Sequence, residues 1–268
     1  MPSIEANGIV QHVRIEGPAE APPVLLIHGL GWDASLWRAQ VPALVAAGFR
    51  VIAPDLRGMG ATDKPDAPYS IDLYAADMAA LLEALGIARV AAVGFSLGGM
   101  ILAALALRAP QRIAAAVIAC ASVSSSAEGQ AGTEAMLARA ATLGPLRFAK
   151  EQADAIWHPA YAAAHPEAVE AFIGWRAAMD QAALGRAFRS AYGVDLRPGL
   201  AGLDLPALVV AADADPFLGV DTGRDIAARI PGARFALIEG AGHMAPIERP
   251  EAFNALILDF LTAHRPPR

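Results

Sequence analysis

Three residue types in this 268-residue chain stand where a strand candidate gives way to a loop, and together they suit nucleophilic catalysis at an acyl carbon. Ser96 lies in Gly94-Phe95-Ser96-Leu97-Gly98, behind the apolar run Arg89-Val90-Ala91-Ala92-Val93 and ahead of an unbroken helix-like run over residues 100–108. A chain that turns from strand to helix within five residues must bend sharply at the serine, which lifts its hydroxyl clear of the sheet. Glycines at 94 and 98 remove the Cβ atoms that would collide with the neighbouring elements. The helix starting behind Ser96 offers unpaired backbone N–H groups and its positive dipole end, both suited to an oxyanion.

A serine hydroxyl is a weak nucleophile near neutral pH and needs a base, and the base needs an acid to orient it. Of six histidines, His243 alone follows an apolar strand candidate (Phe235-Ala236-Leu237-Ile238) and two glycines, Gly240 and Gly242, in a loop. His12 belongs to an early strand, His264 to the tail, and His158 and His165 each precede a proline. The acid is expected after Leu208-Val209-Val210-Ala211-Ala212, in Asp213-Ala214-Asp215-Pro216. Asp215 is preferred over Asp213 because it lies further past the strand end and can reach a neighbouring loop. No carboxylate occurs between Arg112 and Glu128, which removes an acid on the preceding strand. A calcium loop starting at Asp213 fails, since Leu218 and Arg224 stand where glycine and glutamate are needed.

Upstream, the buried-strand run Val24-Leu25-Leu26-Ile27 leads into His28-Gly29-Leu30-Gly31. With Trp32-Asp33-Ala34 this also fits a dinucleotide fingerprint, and Asp55 follows 21 residues after Ala34 at the end of the next strand. The nucleotide reading puts a bulky Trp32 where a pyrophosphate must approach, and it leaves Ser96, Asp215 and His243 without a purpose.

Taken together, these segments resemble the α/β-hydrolase superfamily, and within it the small serine esterases, enol-lactonases and cofactor-free haloperoxidases. The matching residues are His28-Gly29-Leu30-Gly31 with Trp37, the run from Ala53 to Gly60 with Thr62-Asp63-Lys64-Pro65, Gly94 to Gly99, Asp215, Gly242-His243, and Glu248 to Phe253. They cover nearly the whole chain outside residues 123–204. The resemblance implies the order serine, acid, histidine, met here by Ser96, Asp215 and His243. It also implies an oxyanion hole built from the backbone N–H groups of Leu30 and Leu97, with His28 bracing the loop. A serine nucleophile departs from the aspartate-dependent epoxide hydrolases and dehalogenases that share the segment from Asp55 to Pro65. Phe217-Leu218-Gly219-Val220 departs from the Thr-Pro stop of many relatives. Leu30-Gly31 and Leu107-Arg108-Ala109-Pro110-Gln111-Arg112 are similar to the enol-lactonase group.

The elements that must position these residues alternate strand, loop and helix. Ser70 caps a helix over 71–85 whose Tyr74, Met78, Leu81, Leu82 and Leu85 share one face before Gly86 stops it. Helices are expected over 221–230 and 250–263. The fold class is α/β: an α/β-hydrolase fold with a mostly parallel, doubly wound sheet flanked by helices and an inserted helical lid. Residues 1–122 and 205–268 form the core. Residues 123–204 lose the strand signal and read as about four Ala-rich helices forming the lid. Its Phe148, Trp157, Tyr161, Phe172, Trp175 and Met179 are expected at an apolar pocket, with Trp32, Phe95 and Met244 from the core.

A net charge of −6 without a basic cluster argues against nucleic acid or an anionic membrane surface. One cysteine, Cys120, allows no intrachain disulfide and suits a buried small residue. Residues 90–107 carry no charge over 18 positions, but the serine and glycines inside divide the run into strand and helix. The amino terminus shows no signal peptide, so a cytoplasmic protein is expected. The expected activity is hydrolysis of a small carboxylic ester or lactone through an acyl-enzyme, with no metal and no organic cofactor. Enol-lactonase, carbon–carbon bond hydrolase and haloperoxidase or perhydrolase chemistry use the same machinery, and a small-ligand receptor is the non-enzymatic alternative. The only partner expected is the substrate, on a monomer or homo-oligomer.

Overall fold

A computed structural model describes residues 2–266. Eight strands form one sheet: β1 (Ser3–Ala6), β2 (Ile9–Glu16), β3 (Pro23–Ile27), β4 (Arg50–Pro54), β5 (Val90–Phe95), β6 (Ile113–Ala119), β7 (Ala207–Ala212) and β8 (Arg234–Ile238). Their order across the sheet is β1-β2-β4-β3-β5-β6-β7-β8. β1 and β2 pair antiparallel, as do β2 and β4, and all pairs from β4 to β8 are parallel. The helices are α1 (Gln40–Ala46), α2 (Ile71–Ala84), α3 (Leu97–Arg108), α4 (Ala127–Leu143), α5 (Pro145–Ile156), α6 (Pro159–Ala164), α7 (Pro166–Ala177), α8 (Gln181–Arg189), α9 (Arg197–Leu200), α10 (Gly219–Arg229), α11 (Ala245–Glu248) and α12 (Pro250–Ala263).

The central strands are buried on both faces, so their sequences run apolar without alternation. Successive side chains still divide between two cores. Leu25, Ile27 and Ala92 pack with α2 and α3 on one face, whereas Val24, Leu26 and Val93 meet Trp37, Leu44, Phe253 and Phe260 on the other. The α2 helix starts where the Ser70 hydroxyl accepts from Leu73 N at 3.1 Å, a cap worth about 1 kcal/mol. The uncharged run over 90–107 is cut at Ser96 into β5 and α3, and among the described residues no helix is long and apolar enough to cross a membrane.

Between β6 and β7 lie six helices, α4 to α9, not the four expected from the sequence. Pro145, Pro159 and Pro166 each occupy the first turn of a new helix, as the punctuation in the sequence predicts, and the two further helices are α8, which starts behind Asp180, and the single turn α9. The two ends of this insertion pair with each other. Leu196 N donates to Val123 O at 2.9 Å and Ser125 N to Val194 O at 2.8 Å, so the five helices α4 to α8 leave and return at one point, and α9 follows on the way to β7.

Candidate active site

The chain reaches Ser96 directly from β5 and leaves it directly into α3. Its backbone is forced to φ 54°, ψ −118°, a conformation that costs a non-glycine residue on the order of 1–3 kcal/mol. The surroundings hold it there: Ser96 N donates to Ala119 O and Gly99 N donates back to Ser96 O, both at 2.9 Å. A Cβ at Gly94 would stand 2.3 Å from Gly98 O, and one at Gly98 would stand 2.0 Å from Ile27 O. Neither position can carry a side chain without opening the contact between α3 and the sheet.

His243 arrives on the loop after β8, and Asp215 on the loop after β7. Asp215 Oδ2 is 2.8 Å from His243 Nδ1, and His243 Nε2 is 3.0 Å from Ser96 Oγ. A carboxylate only accepts, so the proton sits on Nδ1, which leaves Nε2 to accept from the serine hydroxyl. The second carboxylate oxygen, Oδ1, takes N–H bonds from Phe217 at 2.9 Å and Leu218 at 3.3 Å, which fixes the acid's direction. Asp213 points elsewhere, with its Oδ1 accepting from Ala241 N at 3.3 Å.

The histidine loop has an anchor in Glu248, a residue of the matching segment to which the sequence assigned no role. Glu248, buried in α11, accepts from Gly242 N at 2.9 Å, Met244 N at 3.1 Å and His158 N at 3.0 Å. Burial pushes its carboxyl above the usual glutamate range, against the pull of those three N–H groups. His243 N itself donates to Ile156 O at the end of α5. In sequence Glu248 shows only as the first residue of a matching segment, five residues past the histidine.

Opposite Ser96 runs the loop after β3. His28, fully buried, accepts from Leu56 N at 2.9 Å through Nε2 and donates to Gly29 O at 2.8 Å through Nδ1. Both ring nitrogens are engaged in bracing the loop. Leu97 is the first residue of α3, which has no side-chain cap, and its amide accordingly has no intrahelical acceptor. Among the described residues, neither Leu97 N nor Leu30 N donates to the protein. Asp55, the acid of the dinucleotide fingerprint, is buried and accepts from Ala34 N and Ala61 N at 2.9 and 2.8 Å, so it faces the fold rather than a ligand.

Ser96, His243, Leu30 and Leu97 open into one cavity of about 860 Å³ between the sheet edge and the helical insertion. Trp32, Phe95 and Met244 line it from the core, and Phe148 and Phe172 from the insertion. Four residues expected at the pocket lie elsewhere. Trp157 stacks on Tyr161 with ring centroids 5.3 Å apart, both packing inside the insertion. Trp175 packs on Trp32, centroids 5.0 Å apart, without lining the cavity, and Met179 sits with its sulfur 3.6 Å from Arg176 Nη1. The positions went instead to Phe188, Gln152 and Arg176. Arg176 lies four residues after Phe172 on the same face of α7, and an arginine at that spacing on an apolar stripe is the signal that marks it in sequence.

A parallel sheet with this antiparallel edge, a serine on a strained strand-to-helix turn, and an acid and histidine from the last two strand ends define a hydrolase architecture. The chain belongs to the α/β hydrolase fold family, whose model matches residues 22–145, and it is an enzyme of that class. It is similar over its length to the enol-lactonase from Burkholderia xenovorans LB400, with a TM-score of 0.91, 31% identity, and coverage of 97% of this chain and 100% of that one. A hydrolase from Pseudomonas aeruginosa PA01 superposes with a TM-score of 0.89 at 33% identity, covering 96% of each chain. The 3-oxoadipate enol-lactonase 2 of Acinetobacter baylyi is 29% identical over 94% of this chain and 93% of its own.

Proposed function

We propose that this protein cleaves a small carboxylic ester or lactone through an acyl-enzyme on Ser96. The Ser96 hydroxyl attacks the carbonyl carbon while His243 Nε2 takes its proton. The carbonyl oxygen becomes an oxyanion held by the N–H groups of Leu30 and Leu97. Collapse breaks the bond to the alkoxide, which leaves with the proton from His243. Water, deprotonated by the same nitrogen, then releases the acid and restores the serine. Asp215 keeps the proton on Nδ1 and stabilises the imidazolium. Residues 123–204 act as the lid that shapes the apolar acyl pocket.

The observation that carries this reading is the unbroken hydrogen-bond chain from Asp215 through His243 to Ser96, 2.8 and 3.0 Å long, ending at an apolar cavity. Two unengaged amides on the same cavity add to it. The lactone branch draws support from the enol-lactonases to which the chain is similar over its full length.

The test is release of nitrophenol from short nitrophenyl esters, followed by a panel of esters, lactones and enol-lactones assayed by acid release. A burst of one equivalent followed by steady turnover is expected. Ser96→Ala should reduce turnover about a millionfold while leaving the fold intact. A variant that keeps half its activity removes Ser96 as nucleophile, and binding without turnover favours a small-ligand receptor.

A further inference from the structure

We infer that Arg176 receives a carboxylate carried by the substrate, so that the preferred ester or lactone is an anionic one with its charge at the end of the acyl chain. The inference rests on the reading of Ser96 as the nucleophile of an ester or lactone hydrolase.

Among the described residues two arginines are almost completely buried, and they differ in one respect. Arg57, 7% exposed, forms a fork with the fully buried Asp77, Nη2 to Oδ1 at 2.6 Å and Nε to Oδ2 at 2.8 Å. Arg176, 4% exposed, has no carboxylate partner among the described residues. Its Nε donates to the neutral Gln152 Oε1 at 2.8 Å, its Nη1 lies 3.6 Å from the Met179 sulfur, and the guanidinium stands 5.5 Å from the centre of the Phe188 ring. Nη2 takes no acceptor from the described residues. A buried charge without a counter-ion is strongly unfavourable, and an anion arriving from outside would relieve that cost. Burial alone lowers the Arg176 pKa to about 10, so the group is still cationic at neutral pH.

Place supplies the second part. Arg176 lines the cavity that holds Ser96 and His243. It lies against the loop of Leu30: a Cβ on Gly31, which sits at φ +69°, would fall 1.7 Å from Nη1. Gly31 therefore leaves the room that the guanidinium fills. The other charged pair on the cavity wall, Arg139 and Glu151, cancels itself through bonds of 2.6 and 2.7 Å. One unbalanced positive charge remains in an otherwise apolar pocket. Nη2 and the amide N–H groups of Gln152, bonded to nothing among the described residues, are donors on the same cavity wall, suited to a planar acceptor with a single negative charge. A carboxylate fits this, whereas a phosphate dianion would bury a second, uncompensated charge.

Calorimetric binding to the unreactive Ser96→Ala variant tests the proposal without turnover. The probes are monomethyl succinate, glutarate and adipate, each against its neutral match: methyl butanoate, pentanoate and hexanoate. At pH 8 at least one half-ester should bind about tenfold or more tightly than its match. In Ser96→Ala/Arg176→Gln the ratio should fall to about one, and Arg176→Lys, which keeps the charge and loses the fork, should lie between. Half-esters that bind within twofold of their matches overturn the proposal whatever the variants do, as does a preference that survives Arg176→Gln. Turnover of the same half-esters that persists undiminished in Ser96→Ala would instead sink the nucleophile assignment and leave the binding ratio standing.

Discussion

The two acids at 213 and 215 show how much a single residue's setting decides. They are chemically identical and two positions apart, yet Asp215 is buried with both oxygens engaged toward the site, and Asp213 is exposed with an oxygen on Ala241 N. Asp215→Asn places an amide N–H or C=O opposite His243 Nδ1 and favours the wrong tautomer. It should lower kcat for a nitrophenyl ester about ten-thousandfold, as at comparable sites. Asp213→Asn should stay within about threefold, and the reverse ranking would move the acid by two residues. At this scale the sequence was highly legible. Ser96 follows its apolar strand directly, and Asp215 and His243 lie within five residues of the ends of theirs, so all three are marked by local signals. Arg176 was legible only as an arginine on an otherwise apolar stripe of α7, and its lack of a counter-ion has no local signature.

Among elements, the join between the histidine loop and the helical insertion is the least expected feature. Glu248 gathers N–H groups from Gly242 and Met244 beside the histidine and from His158 at the start of α6, 90 residues away in sequence. Glu248→Gln keeps the shape but replaces one accepting oxygen by a donating NH2. At least one N–H then faces a donor, at a cost of about 1–3 kcal/mol. Because two of the three donors flank His243, that cost should appear as misplacement of the imidazole. The expected result is a fall in kcat of about 10- to 100-fold with KM changed less than threefold, measured on a short neutral ester. Equal losses in kcat and in melting temperature by Glu248→Gln and Glu248→Ala, with no effect on kcat beyond the unfolded fraction, would mark a purely structural anchor. Helix α2 was legible to within one residue, since Ser70 caps it and its apolar face repeats with helical period. The insertion was legible as helical but not in number, because prolines mark the starts of α5, α6 and α7 whereas no proline or glycine breaks the chain between α7 and α8, and α9 is a single four-residue turn.

For the whole molecule, the sheet brings four loops, after β3, β5, β7 and β8, to one edge, and the same arrangement ties stability to pH through the innermost of them. His28 sits fully buried between Leu56 N and Gly29 O, with a neutral ring required at Nε2. Burial lowers its pKa below the ordinary 6.5, against the opposing pull of the Gly29 carbonyl and of Asp55 and Asp33. Below pH 6.5 the unfolded chain therefore binds a proton that the folded one refuses. The stability from neutral His28 is fully present above that pH and is lost as pH falls toward the lowered pKa, by at most about 1.4 kcal/mol per pH unit. Melting temperatures recorded from pH 8 to 5 should decline most steeply below pH 6.5. His28→Gln should melt lower at pH 8, having lost the brace at the Leu56 amide, yet its melting temperature should fall less steeply toward pH 5. Parallel slopes for the two proteins would show that His28 accommodates its proton in the folded state, and that the loop carrying Leu30 does not depend on a neutral ring.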